Sequence, residues 1–142
     1  MNNESLIVAN WKMNFSHEEA LLFVTQHYND LCMLASTEKT MLILCPSFTA
    51  LYPLYNVLKD TPIKLGAQDC SNHTKGPFTG QISAQCLKSL GCSHCIVGHS
   101  DRRKYNGETN HVIAQKASLL FTQGITPIIC IASVGVGAAC ET

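Results

Sequence analysis

An α/β fold built on a mainly parallel sheet is what this 142-residue sequence predicts, on three observations. Short apolar runs recur at 6–9, 41–45, 63–65, 95–97 and 127–131, helical patterning separates them, and most runs are continuous rather than alternating. Continuous runs suit strands covered on both faces, and repeated strand–helix alternation implies right-handed crossovers. The periodicity leaves two architectures open, a doubly wound open sheet or part of a barrel.

The run 6–9 forms strand one. Ser16 followed by Glu19 is a capping-box pattern, and it opens a helix with Ala20, Val24, Tyr28 and Leu31 on one face. After strand two at 41–45, a helix is predicted over 48–59, interrupted by Pro53. Strand three at 63–65 leads to a helix over 81–90, with Ile82, Cys86 and Leu90 at four-residue spacing and Gly91 as its stop. Strand four at 95–97 leads to a helix over 109–123 that aligns Ile113, Ala117, Leu120 and Phe121 and stops at Gly124, ahead of Pro127. Strand five is 127–131. Residues 132–142 are small, apolar and glycine-interrupted, without cap or amphipathic period, and are expected to be an unstructured tail outside the fold of 1–131.

Lysine plus arginine equals aspartate plus glutamate at 10 each, charged residues are 14% of the chain, and no stretch collects like charges. That pattern carries no electrostatic footprint for nucleic acid or an anionic membrane, so small molecules or proteins are the expected partners. A hydrophobic fraction of 46% with 9 glycines and 5 prolines fits one folded domain rather than a disordered chain. No run approaches the ~18 apolar residues of a membrane span, and Met1-Asn2-Asn3-Glu4 lacks the charge and apolar stretch of a secretory leader. The 8 cysteines are scattered, several of them inside apolar runs, and are read as reduced core thiols in a cytoplasmic protein.

Ligands of parallel α/β folds gather at the C-terminal ends of strands. Three polar groups stand there: Asn10-Trp11-Lys12-Met13-Asn14 after strand one, Gly66-Ala67-Gln68 after strand three, and Gly98-His99-Ser100-Asp101-Arg102-Arg103 after strand four. Singly, each is a weak indication. A strand-end lysine is as often a solvated loop residue as a ligand, and a lone histidine is more often structural than catalytic.

In this order, Ala9-Asn10-Trp11-Lys12-Met13-Asn14, Gly66-Ala67-Gln68-Asp69, Phe78-Thr79-Gly80, Leu90-Gly91-Cys92, Gly98-His99-Ser100-Asp101-Arg102-Arg103 and Thr126-Pro127-Ile128-Ile129-Cys130 closely resemble the triosephosphate isomerase family. The resemblance runs over about residues 6–131. It implies a (β/α)8 barrel, typically ~250 residues, of which this chain carries the first four β-α units and strand five. It also implies the glycolytic and gluconeogenic interconversion of dihydroxyacetone phosphate and glyceraldehyde 3-phosphate through an enediolate, with no metal or organic cofactor. Carried over residue by residue, His99 is the catalytic electrophile that polarises the substrate oxygens and shuttles protons. The N-terminus of the short helical turn after it keeps it neutral, this family being itself a well-known case of a glutamate base paired with a neutral histidine. Lys12 and Asn10 bind substrate, one through fixed charge and the other through hydrogen bonds. Ser100 and Asp101 stand behind them, and loop 68–80, which begins at Gln68, inserts Thr79 into a second subunit beside its Asn10 and Lys12 to make a homodimer.

Some positions depart from the family pattern. Asp101 replaces the usual glutamate, one methylene longer, so a link to Lys12 is expected to be strained or water-bridged. Gln81 replaces an acid after Phe-Thr-Gly and removes a charge from the interface network. Ala132 and Ser133 stand where the family has Gly-Glu, and the family's text is not found after them. The glutamate base after strand six, the mobile lid and the phosphate loops therefore have no counterpart here, and the chain alone is expected to be nearly inactive. The alternative reading is a non-catalytic half-barrel that acts as an interaction or fragment-complementing module.

Other patterns carry less. Cys92-Ser93-His94-Cys95 has C-x-x-C spacing, yet Cys92 falls in a turn and Cys95 opens a strand, so a metal or redox pair is not expected. Gly135 and Gly137 lack the following helix of a dinucleotide site. His17, His27, His73 and His111 read as surface or loop residues, Arg102 and Arg103 as partners in structural ion pairs, and Trp11 as a packing anchor. Strands one and five are expected to be open edges that promote association. Sedimentation of the purified chain is expected to show associated species, and a monodisperse monomer with cooperative thermal unfolding would contradict this.

Overall fold

A computed structural model of the protein describes residues 5–37 and 39–131, so the tail at 132–142, with Gly135 and Gly137, lies outside the described residues. The elements are β1 (Ser5–Asn10), α1 (His17–Gln26), α2 (Tyr28–Ala35), β2 (Thr40–Cys45), α3 (Phe48–Leu58), β3 (Lys64–Ala67), α4 (Ala84–Ser89), β4 (His94–Val97), α5 (Ser100–Asn106), α6 (Asn110–Thr122) and β5 (Thr126–Ile129). The five strands pair in parallel in the order β1-β2-β3-β4-β5, with Ile7 opposite Leu42, Leu44 opposite Leu65, Ala67 opposite Cys95 and Ile96 opposite Ile128. Strand order repeats chain order, and the sheet curls into half of a barrel. The choice that periodicity left open thus falls on the barrel.

Continuous apolar strands make sense in this arrangement because their side chains alternate between two cores. Leu42, Leu44, Leu65, Cys95 and Val97 face the helices, where Val24, Leu51, Leu54, Leu87 and Leu120 meet them. Ile43, Cys45 and Ile96 point to the concave side, packed by Val8, Ile128 and Cys130. The two outer strands are covered only in part: Leu6 is 57% exposed on β1 and Ile129 is 52% exposed on β5.

Three helices differ from their sequence expectation. The first breaks at His27, whose backbone (φ −106°, ψ 17°) leaves the helical region and whose ring packs against Phe23, so one helix becomes α1 and α2. The break re-phases the faces: Ala20 and Val24 stay buried, whereas Tyr28 turns outward. The helix expected over 81–90 starts only at Ala84, because Ser83 adopts extended backbone and caps it by accepting from the Cys86 N–H. Its buried residues are Ala84 and Leu87, not Ile82, Cys86 and Leu90. In α6 the expected face is rotated: Ile113, Lys116 and Leu120 are buried, while Phe121 is 79% exposed. By contrast α3 passes through Pro53 unbroken. The ~3 kcal/mol penalty of an internal proline is outweighed by fully burying Leu51, Leu54 and Leu58, each worth about 1.5–3 kcal/mol.

Lys116 is buried because it is paired. Its Nζ donates to both Asp69 oxygens at 2.7 and 2.9 Å and to Glu108 Oε1 at 2.6 Å, and Arg102 bonds the same two carboxylates. Burial pushes the Asp69 carboxyl up, against the pull of Lys116 and Arg102. Burial also acts to raise Glu108, but the hydrogen bonds from Lys116 and Arg102 outweigh it and hold that group below its ordinary range. Each carboxylate receives three contacts from Lys116 and Arg102 together, but Asp69 is raised further by the neighbouring Glu108 charge. Removing one member of such a network leaves uncompensated buried charge. Lys116→Met is expected to cost about 3 kcal/mol or more, read from the urea midpoint at neutral pH, and a loss below about 1 kcal/mol would show that these carboxylates are solvated instead.

Candidate active site

The polar residues singled out in the sequence converge at the C-terminal ends of β1, β3 and β4. Asn10 ends β1, Gln68 directly follows β3, and Gly98 and His99 directly follow β4. The loop after β1 is held in place first by its aromatic residue. Trp11 donates its backbone N–H to Cys45 O at the end of β2, and its ring packs edge-on against Phe15 and Phe23 at 5.1 and 5.5 Å between centroids.

Lys12 then takes φ 53°, which makes it the non-glycine residue in the left-handed region among those described. Two side chains hold that conformation. Asn10 Oδ1 accepts the Lys12 N–H at 3.0 Å, and Gln68 Nε2 donates to Lys12 O at 2.8 Å and to Cys45 O at 3.0 Å. One carboxamide after β3 thereby ties together the ends of β1 and β2. The left-handed conformation costs an ordinary residue roughly 1–2 kcal/mol, and such strain persists only where neighbours over-determine it.

Gly98 brings His99 into position. It has φ 70°, and an added Cβ would lie 2.9 Å from Ile113 Cδ1, so this turn admits glycine alone without rearrangement. His99 is the N-cap of α5, and its Nδ1 accepts the backbone N–H of Asp101 at 3.1 Å. A nitrogen that accepts carries no proton, so this hydrogen bond assigns the proton of a neutral ring to Nε2, which bonds none of the described residues.

Asp101 faces both neighbours. Its Oδ2 lies 3.5 Å from Lys12 Nζ and 3.3 Å from His99 Nδ1. The link to Lys12 is therefore direct, where strain or a bridging water was expected. Both partners are about half exposed, and such a pair is worth at most ~1 kcal/mol, so it positions the lysine more than it stabilises the fold.

The structure brings Asn10, Lys12, Gln68, His99 and Asp101 together; Ser100 and Thr79, the second of which was expected to reach a second subunit, make no side-chain hydrogen bond with them. Ser100 is exposed in the first turn of α5, and Thr79 is exposed in the loop before α4. Gln81 accepts a short hydrogen bond from Ser71 Oγ within that same loop. Arg103 makes a structural clamp, donating to Gly98 O, Cys130 O and Asn110 Oδ1, and so joins the ends of β4 and β5. His94 opens β4 and His99 lies beyond its far end, roughly 16 Å apart at strand rise, so they share no site. Burial pushes the Cys92 thiol up to about 12, which keeps it protonated. Among the described residues, no group of three His, Cys, Asp or Glu side chains is placed to hold a metal ion.

Sequence reasoning missed the Asp69–Lys116–Glu108–Arg102 network, which lines a cavity of about 270 Å³. The available indication was Lys116 itself, standing between Ile113 and Leu120 on an apolar helical face. Because glycine accepts φ 53° freely at a chain-entropy cost of about 0.5–1 kcal/mol, Lys12→Gly is expected to stabilise the fold by about 0.5–1 kcal/mol. Urea unfolding checks this, and a destabilised variant would mean that the lysine side chain, not the backbone, dominates here.

The model of the triosephosphate isomerase family matches residues 5–135. The chain is 40% identical over 126 residues to a triosephosphate isomerase of Thermus thermophilus, covering 89% of this chain and 49% of the relative. It is 42% identical over 129 residues to one of Herpetosiphon aurantiacus, covering 91% and 50%. Among solved structures, the triosephosphate isomerase of Bartonella henselae superposes with a TM-score of 0.82 at 31% identity, covering 90% of this chain and 52% of that one. The chain thus spans about half the length of the relatives it matches, and the matched half is the one whose strand ends carry Asn10, Lys12, Gln68 and His99. On the match to its family model, over nearly its whole length, the chain belongs to the triosephosphate isomerase family.

Proposed function

We propose that these residues form the N-terminal half of a working triosephosphate isomerase, converting dihydroxyacetone phosphate and glyceraldehyde 3-phosphate into one another through an enediolate. The observation that carries the proposal is the Lys12 backbone, held in a costly conformation by Asn10 and Gln68, with Asp101 Oδ2 lying between Lys12 Nζ at 3.5 Å and His99 Nδ1 at 3.3 Å. Strain of this kind is retained where a side chain must be aimed.

In this reading His99 donates its Nε2 proton toward the substrate oxygens, so that the charge developing on the enediolate meets a preset donor. Lys12 supplies a fixed positive charge to the same oxygens and to the phosphate dianion, and Asn10 fixes the loop from which it reaches. General-base catalysis belongs to a glutamate on the part of the barrel that these residues do not include, whether it is carried by the same polypeptide or a second one. Loop 68–80, with Thr79, is the contact of a homodimer, and the cytoplasm is the compartment of the reaction.

Complementation tests the proposal. The chain is mixed or co-expressed with the segment of the Thermus thermophilus relative that it does not span, and isomerisation of glyceraldehyde 3-phosphate is followed. Activity that needs both parts is expected. In that complex His99→Gln is expected to lower kcat by about 10²–10⁴-fold with KM little changed, the mark of an interaction made chiefly in the transition state. An assembled complex without turnover, or one indifferent to His99→Gln, favours the non-catalytic module.

A further inference from the structure

Two groups meet at Nδ1 of His99 and compete for it, and a third acts on one of them. The backbone N–H of Asp101 donates to it at 3.1 Å, which needs an unprotonated nitrogen. Oδ2 of Asp101 lies 3.3 Å from the same nitrogen, and a carboxylate oxygen facing an unprotonated nitrogen sets lone pair against lone pair. The third group is Lys12, whose Nζ is 3.5 Å from that very oxygen. Its positive charge draws the electron density of Oδ2 away from the ring.

We propose that Asp101 is a positioning residue that couples Lys12 to the proton on His99: the ammonium of Lys12 occupies the Asp101 carboxylate and so keeps His99 in the tautomer with its proton on Nε2. Without that ammonium, the carboxylate gains more by accepting a charge-assisted hydrogen bond from an Nδ1–H than the ring gains by accepting from a neutral backbone amide. The proton then moves to Nδ1, the Asp101 N–H turns to solvent at the first turn of α5, and Nε2 becomes an acceptor. Lys12 therefore acts on the histidine before any substrate is present. The coupling depends on a short side chain, since the carboxylate stands two residues from the ring it faces and reaches it only by folding back over the cap. It rests on the proposed role of His99 for its catalytic meaning, but its existence is a property of the ring alone.

The test reads the ring nitrogens directly. The full 142-residue chain, labelled with 15N-histidine, is observed without substrate at a pH where histidine is neutral, in solution or by magic-angle spinning. In the native chain, Nδ1 is expected at the unprotonated position and Nε2 at the protonated one. In Lys12→Met the two positions are expected to exchange, and in Lys12→Met/Asp101→Asn the native pattern is expected to return, because an amide offers no charge. Asp101→Asn alone is expected to keep the native pattern. Both substituted side chains are about half exposed, so the fold does not hinge on them, and the other five histidines report it internally. Unchanged His99 signals in Lys12→Met would overturn the coupling, as would an exchange that the second substitution fails to reverse. The outcome is separate from complementation: the tautomer can follow Lys12 in a protein that never turns over, and turnover can occur with a histidine indifferent to Lys12.

Discussion

The ammonium of Lys116 joins three segments that would otherwise end independently. Asp69 belongs to the loop after β3, Arg102 to α5 and Glu108 to the link before α6, and all of them meet at or beside this one buried cation. Each carries part of the site with it. Asp69 is the neighbour of Gln68, which grips Lys12, and Arg102 stands three residues after His99 on the helix that His99 caps. A buried ion network of this kind is rarely more stable than well-packed apolar residues would be. Its value is geometric, since ions with several fixed donors and acceptors accept one arrangement and penalise its neighbours.

The strands were legible because both faces of the sheet are covered, so 42–45 and 95–97 had to be apolar throughout. The family motifs were legible for a related reason: Gly98 admits no side chain, and Asn10 and Gln68 each bond a specific backbone group of Lys12. What escaped the sequence was tertiary. Nothing local marks His27 as a helix break, and the rotation of α6 depends on Lys116 going inward, which its charge argues against until Asp69 and Glu108 are known to be there. The start of α4 moved for the opposite reason, since Ser83 is an ordinary N-cap that a four-residue apolar spacing obscured.

Of the departures that the resemblance implies, the two at described residues differ in consequence. Gln81 gives up a charge but keeps a hydrogen bond, to Ser71, and the change stays within its own loop. Asp101 keeps its charge, and its carboxylate stands between the side chains of Lys12 and His99.

The identity of strand order and chain order, β1 to β5, also bears on how the molecule is made. Each strand adds to the one synthesised just before it, and each helix covers the seam it has just crossed. Among the described strands each pairs with its neighbour in the chain, so loop-closure entropy is met in small steps and contact order stays low for a parallel sheet. Such a sheet can grow on the ribosome one β-α unit at a time, with the edge of β1 left open while the other advances, and the side chains that hold the Lys12 backbone fall into place as soon as β3 has docked.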